Sequence, residues 1–599
     1  MACHRRIGGL GSFILLGALA RAQVTQRVSV TSLGGQGHGA SLYASISADG
    51  RWVAFTSSAG DLVAGDTNGA QDVFVRDRLA GTTERVSVAT GGAQASGASG
   101  SPSISADGRC VAFWSQASDL VPGDTNGAQD VFVRDRLAGT TERVNVDSSG
   151  AQANGDSDSS RPQLSADGRF VAFDSFATNL VAGDTNGAAD VSVRDRSAGT
   201  TERVSVDSPG AQANGFSYDP SIAADGRRVA FRSEAGNLVP GDTNLQWDVF
   251  VRDRLAGTTE RVSLSSSGTE GNAGSHFPSI SADGRHVAFE SDARLVDGDT
   301  NGARDIFVRD RLLGTTERAS VATGGSQANL SSEQASISSD GRGVAFRSDA
   351  SGLVPGDTNG VPDVFLRDLQ GGTTERMSVG PGGTQGNGFS GRPSISGDGR
   401  CVAFESLADD LAAADTNGDW DAFVRDRDGG PSFTVLCEPG VGGVIPCPCA
   451  NPPGGAGLGC DNSAGTGGAR LLAAGGTTLS SDSLVFTTGG ERPTAASIVL
   501  QGNGPIPAGV SFGQGVRCAG GTILRRLFAK VASGGSITAP DFAAGDPTVS
   551  ARSAAKGDPI HAGESRWYLV YYRDPLVSGG CPPTSTFNAT PTGEVSWSP

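Results

Sequence analysis

With 599 residues and a formal charge of −17, the chain is too long for one domain and too acidic, with no basic stripe, to bind a phosphate backbone. Its only lysines are Lys530 and Lys556, so nearly all positive charge is arginine. Glycine is abundant (89 residues) and helix-period patterns are scarce, which favours short strands joined by turns and excludes a helical bundle.

In chain order, the first element is a leader. "MACHRRIGGLGSFILLGALARAQ" has a basic start at Arg5 and Arg6, an apolar stretch through Ala20, and Ala20-Arg21-Ala22 as an A-x-A cleavage site. A signal peptide over 1–22 is expected, with the mature chain exported to the periplasm, cell surface or extracellular space. No other window reaches the roughly 20 apolar residues a membrane helix needs. A soluble monomer without a transmembrane segment is expected.

Residues 23–430 are governed by a repeat. The segment "GDTNGAQDVFVRDR" occurs at 65–78 and again at 123–136, and its first aspartate recurs with spacings of 58, 60, 58, 57, 58 and 58. The first six units each contain four short runs rich in Val, Ile, Phe and Thr, such as "PSIS", "RCVAFWS", "DVFVRD" and "TERVNV" from residue 102 onward. Asp-Gly joins the first two runs and "RLAGT" the last two, both as tight hairpins. Four antiparallel strands per unit describe a β-propeller blade. Unit seven ends at "DAFVRDRDGG" without a fourth run, while an orphan "RVSV" stands at Arg27–Val30. Seven blades are therefore expected, closed by the N-terminal strand.

The stretches "SADGRWVAFTS" (47–57), "SADGRFVAFDS" (165–175) and "SGDGRCVAFES" (396–406) resemble the TolB-type, WD-repeat-like propeller repeat, and all seven units match. The resemblance implies the fold and leaves function open, because TolB propellers have six blades and lack the long "GDTNG" loop.

That loop reads D-x-N-G-x-x-D. Alternate oxygen-bearing side chains, a glycine and a closing carboxylate suit Ca²⁺. The candidate ligands are Asp66, Asn68 and Asp72; Asp124, Asn126 and Asp130; Asp184, Asn186 and Asp190; and Asp242, Asn244 and Asp248. The remaining units supply Asp299, Asn301 and Asp305; Asp357, Asn359 and Asp363; and Asp415, Asn417 and Asp421. Asp61, Asp119, Asn179, Asn237 and Asp410 lie upstream as further oxygen donors. The same pattern also reads as a purely structural Asx-turn inherited through blade duplication, and Leu245 replaces the glycine in unit four. Arg76, Asp77, Glu84 and Arg85 are placed to form cross-strand ion pairs.

No H-E-x-x-H or G-x-S-x-G occurs, so no catalytic residue is assigned. His38 and His276 fall in corresponding connections and read as exposed loop histidines. The "GDTNG" loops and the variable inter-blade loops share one face, where a protein or carbohydrate ligand is expected. The favoured reading is a non-enzymatic binding scaffold. The alternative is a polysaccharide-active hydrolase or lyase with its site in the central channel.

Composition shifts at 428–433, and residues 431–599 form a cysteine-rich β-sandwich-like module. Cys437, Cys447, Cys449, Cys460, Cys518 and Cys581 read as disulfides, with zinc at Cys447, Cys449 and Cys460 as the alternative. "CPCANPPGGAGLGCDNSAG" and "TFNATPTGEVSWSP" resemble a module ending many exported bacterial proteins, a family that implies no activity.

Overall fold

The computed structural model describes residues 23–157, 161–413 and 415–427, and most positions between 434 and 597. The leader lies outside the described residues.

Seven four-stranded antiparallel sheets account for the repeat. Blade 1 is built from Ser41–Ile46, Trp52–Ser57, Asp72–Asp77 and Thr82–Arg85, in that order from the inside outwards. Blades 2–6 repeat this order. In blade 7 the outer position is taken by Val24–Arg27, which pairs antiparallel with Asp421–Asp426. The N-terminal strand thus closes the ring, as the count of runs predicts.

The core lies between the blades. Val53, Phe55 and Phe74 of blade 1 share one apolar cluster with Ala403, Ala422 and Val424 of blade 7, and each other neighbouring pair of blades shares its own. In six blades a phenylalanine of the second strand stacks on one of the third, as Phe55 on Phe74 at 5.9 Å. Blade 3 has Ser192 at the second of these positions, opposite Phe173.

A second ring of bonds forms at the Asp-Gly hairpins. The amide of Ala48 donates to the carbonyl of Ala106, Ala106 to Ala166, Ala166 to Ala224 and Ala224 to Ala282. Ala282 then donates to Ser339, Ser339 to Gly397, and Gly397 back to Ala48, all at 2.9–3.1 Å. This closed circle draws the hairpin ends of all the blades together. The "GDTNG" loops and inter-blade loops surround the opposite end of the channel.

The C-terminal region is also β. One sheet contains Thr434–Cys437, Thr592–Ser596, Ser565–Arg573, Ala496–Phe512 and Gly515–Val531, and a smaller one contains Arg470–Ala474, Val485–Gly489 and Thr538–Ala539. Leu471 and Phe486 of the small sheet pack with Val499, Phe528 and Tyr568 of the large one. Cys447 and Cys460 form a disulfide, which consumes both sulfurs and removes the zinc alternative there. Cys449 and Cys581 lie outside the described residues. Cys110 of blade 2 and Cys401 of blade 7, which are not neighbouring blades, are free and buried. Among the described residues, no helix is long and apolar enough to cross a membrane.

Candidate functional site at the channel mouth

The seven repeated turns bring their candidate ligands together, but around an arginine. In blade 1, Arg85 of the outer strand lies 3.2 Å from Asp66 and 3.6 Å from Asp72. Arg143 is 3.1 Å from both Asp124 and Asp130, and Arg318 is 3.3 Å from both Asp299 and Asp305. Arg203, Arg261 and Arg376 bridge Asp184 with Asp190, Asp242 with Asp248, and Asp357 with Asp363. In blade 7 the N-terminal strand supplies the cation, Arg27, to Asp415 and Asp421.

The other candidate oxygens are also engaged. Asn68 accepts the N–H of Ala70 and donates to Asp72 and to the carbonyl of Ala95, while Gln94 donates to Asp66 at 2.7 Å and Asp72 at 3.1 Å. Asn126, Asn186, Asn244, Asn301, Asn359 and Asn417 each accept the corresponding turn N–H. The upstream residues hold the inter-blade loops instead: Asp61 accepts the amide of His38, Asp119 that of Ser96 and Asp410 that of Asn387. A Ca²⁺ ion here would meet a guanidinium and amide N–H groups where it needs free oxygens. Among the described residues, no group of three or more His, Cys, Asp or Glu side chains converges to hold a metal. The residues present therefore do not fit calcium.

The partners of the hairpin charges also differ from the cross-strand expectation. Arg85 goes to the turn, and Asp77 pairs with Arg51 at 2.8 Å. Glu84 reaches Arg136 of blade 2 at 2.5 Å, and Arg76 bonds the carbonyl of Thr31 and the hydroxyl of Thr83. Glu84 lies opposite Val75 in the ladder, so its side chain faces the next blade.

The chemistry that differs between blades is concentrated at the channel. Six inner strands carry a register shift, and the residue there, together with Arg161 just before the inner strand of blade 3, lines a cavity of about 150 Å³. These residues are Tyr43, Ser101, Arg161 and Asp219 in blades 1–4, then Phe277, Gln334 and Arg392 in blades 5–7. Six of them are non-glycine residues with φ between +46° and +60°, a conformation that L-residues adopt at a cost. One step outwards, the varying position of the second strand holds Thr56, Trp114, Asp174, Arg232, Glu290, Arg347 and Glu405 in blades 1–7.

These two tiers interlock. Glu405 accepts the N–H of Tyr43 at 2.9 Å and lies 3.6 Å from Arg392, whose guanidinium sits 4.0 Å over the Tyr43 ring. Glu290 accepts the N–H of Gln334 at 2.8 Å and pairs with Arg304 at 2.9 Å, and burial pushes its carboxyl up to about 7. Thr56 accepts the N–H of Ser101 at 3.0 Å. The second-strand side chain thus caps the strained inner residue of the next blade.

Blades 4 and 5 add an aromatic wall. Arg232 lies 2.5 Å from Asp219 and 4.9 Å from the ring centres of both Trp247 and Phe277. Phe216 stacks on Tyr218 at 5.9 Å, and Tyr218 meets Trp247 at the same distance. His276 is part of this wall and half-buried, 3.3 Å from Arg232, rather than an exposed loop histidine; burial and the charges of Arg232 and Arg304 hold it down to about 4. His38 is exposed and paired with Asp61.

These channel residues are missed when the repeat is read for what recurs. Alignment of the seven units would reveal them as columns that change while their neighbours do not.

The fold defines a β-propeller repeat protein of seven blades with a C-terminal β domain. No protein-family model matches the chain, and no curated protein matches it in sequence. Solved structures similar to it include TolB from Acinetobacter baumannii, at 15% identity and a TM-score of 0.29 over 50% of this chain and 60% of that one. The β-propeller domain of the Trilobed protease from Pyrococcus furiosus shows 11% identity and a TM-score of 0.39 over 65% of this chain and 96% of that one. An oligogalacturonate lyase in complex with manganese shows 12% and 0.41 over 68% and 96%. At such values the likeness transfers no activity.

Proposed function

We propose that the chain is an exported, non-enzymatic propeller that binds its ligand at the long-loop mouth of the central channel. One observation carries this reading. Blades that otherwise repeat nearly unchanged differ in chemistry at the inner position facing the cavity, where side chains are held at positive φ. Architecture alone would repeat one residue seven times; a site for one asymmetric ligand needs seven different ones.

The test is binding of immobilised mature protein to a panel of soluble glycans, peptides and small acids, beside a Tyr43→Ser, Phe277→Ser double variant. A ligand held by the wild type and lost by the variant supports the reading. Equal binding by both, or none by either, defeats it.

The enzymatic alternative draws on the buried Glu290, whose raised pKa is of the kind that serves an acid catalyst. Glu290 already caps Gln334 and pairs with Arg304, which favours a structural role. Release of reducing ends from polysaccharide by the wild type but not by Glu290→Gln would establish the enzyme instead.

A further inference from the structure

Six aromatic rings form one unbroken run on the long-loop face, from the loop after the second strand of blade 3 to the cavity. Between ring centres, Phe176 stands edge-on to both Phe216 and Tyr218 at 6.2 Å, and those two stack at 5.9 Å with their planes 8° apart. Tyr218 meets Trp247 at 5.9 Å, Trp247 meets His276 at 6.4 Å, and His276 meets the cavity-lining Phe277 at 6.5 Å. Phe176 is 39% exposed and the other five are half-buried, so every ring still shows surface to solvent. None of the six belongs to the apolar clusters that join the blades. The blade itself does not need them. At the positions of Phe216, Tyr218 and Trp247, blade 2 has Ala98, Gly100 and Gln129 and keeps the same four strands. Blade 7 repeats only the pair Phe389 and Trp420, with Gly391 where Tyr218 carries the run inwards.

Resting on the binding reading above, we propose that a neutral saccharide chain lies along this run, its sugar rings on Phe216 and Trp247 and its end in the channel mouth beside Phe277. A contiguous set of exposed rings outside the core marks a contact surface, and its surroundings select the ligand. The Arg232 guanidinium sits among these rings with Asp219 2.5 Å away, and a wholly apolar partner would strip water from that pair. The chain's charge of −17 repels nucleic acid and other polyanions. A sugar ring meets both conditions. Its C–H face carries slight positive charge and lies on the negative face of an aromatic ring, while its hydroxyl edge stays wet or bonds to polar neighbours. Such neighbours are at hand in Arg232 and in the exposed Glu234, which accepts the N–H of Phe216 at 3.4 Å.

The experiment is calorimetric titration of the mature full-length chain with cellohexaose, xylohexaose, mannohexaose and maltohexaose, each beside its disaccharide. The variants are Trp247→Ala, Trp247→Phe and, as a control outside the run, Trp420→Ala. Saturable binding of one hexasaccharide by the wild type is expected, with its disaccharide weaker because it spans fewer rings. Trp247→Ala should weaken that binding about tenfold, the scale of one stacked ring lost to alanine. Trp247→Phe should keep most of the affinity and Trp420→Ala all of it. Fluorescence gives a second readout that needs no alanine variant. Saturating saccharide shields Trp247, so acrylamide quenches the wild type less, and this protection is absent in Trp247→Phe. A hexasaccharide bound equally by wild type and Trp247→Ala, or weakened as much in Trp420→Ala, overturns the proposal. If a peptide or small acid binds instead and is lost in the Tyr43→Ser, Phe277→Ser pair, the saccharide falls and the binding reading survives. If nothing binds, both fall.

Discussion

Leu245 occupies the turn position that is glycine in the other six blades, and it still adopts φ +55°. The turn therefore dictates the left-handed conformation whatever residue is present, so leucine there does not relax the demand. An L-residue in that region costs about 1–2 kcal/mol, and glycine loses part of that gain to its freer unfolded chain. Leu245→Gly is expected to stabilise the protein by roughly 0.5–1 kcal/mol, read as a higher melting midpoint.

Glu290 and His276 make opposite contributions with pH. Burial raises Glu290 to about 7 in the folded chain against 4.5 for an ordinary glutamate, so its contribution is complete below 4.5 and is lost as pH rises through about 7. His276 titrates near 4 against 6.5, so its contribution is present above 6.5 and is lost as pH falls through about 4. Between about 4.5 and 6.5 the two slopes nearly cancel. Glu290→Gln should therefore make stability rise with pH in that window by close to one proton, and His276→Gln should make it fall. Urea midpoints from pH 4.5 to 7.5 would measure both; unchanged slopes would mean these groups do not carry the pH dependence.

At the scale of the element, the repeated turn is held by a guanidinium shared between two carboxylates. Arg143 with Asp124 and Asp130 is the clearest case, with all three side chains nearly buried. Removing the arginine leaves two buried carboxylates facing each other, which costs about 3 kcal/mol. Arg143→Ala is expected to lower the melting midpoint clearly, whereas excess EDTA leaves the wild-type midpoint where it was. A drop with EDTA that millimolar Ca²⁺ restores would put a metal back in these loops. The strands, hairpins and loops were all legible locally, from alternating Val, Phe and Thr runs and Asp-Gly turns. The bridge was not, because Arg85 stands 19 residues after Asp66 and the ladder between them had to form first.

For the whole molecule, closure depends on a strand at the other end of the propeller's chain. Val24–Arg27 covers the edge of Asp421–Asp426, Ser29 donates to Asp421 at 2.5 Å, and Arg27 reaches the same carboxylate. Starting the chain at Thr31 bares that edge and leaves Asp421 without its cation. Such a truncation is expected to lose the single melting transition and to elute as oligomers in size exclusion, as exposed strand edges pair with one another. A truncated chain that stays monomeric and melts like the parent would show that the ring closes without it.

Sequence by itself determined the class, the number of blades and the closing strand. Each of these follows from local pattern and from counting repeats, and a period near 58 survives without knowledge of any contact. Only the tertiary structure decided what the repeated carboxylates do and where the blades stop being alike. The Arg27 bridge to Asp421 joins residues 394 apart, and the channel mouth gathers one side chain from each blade. Chain folding alone creates these contacts, because the groups that meet in the channel are separated by a full repeat or more along the backbone.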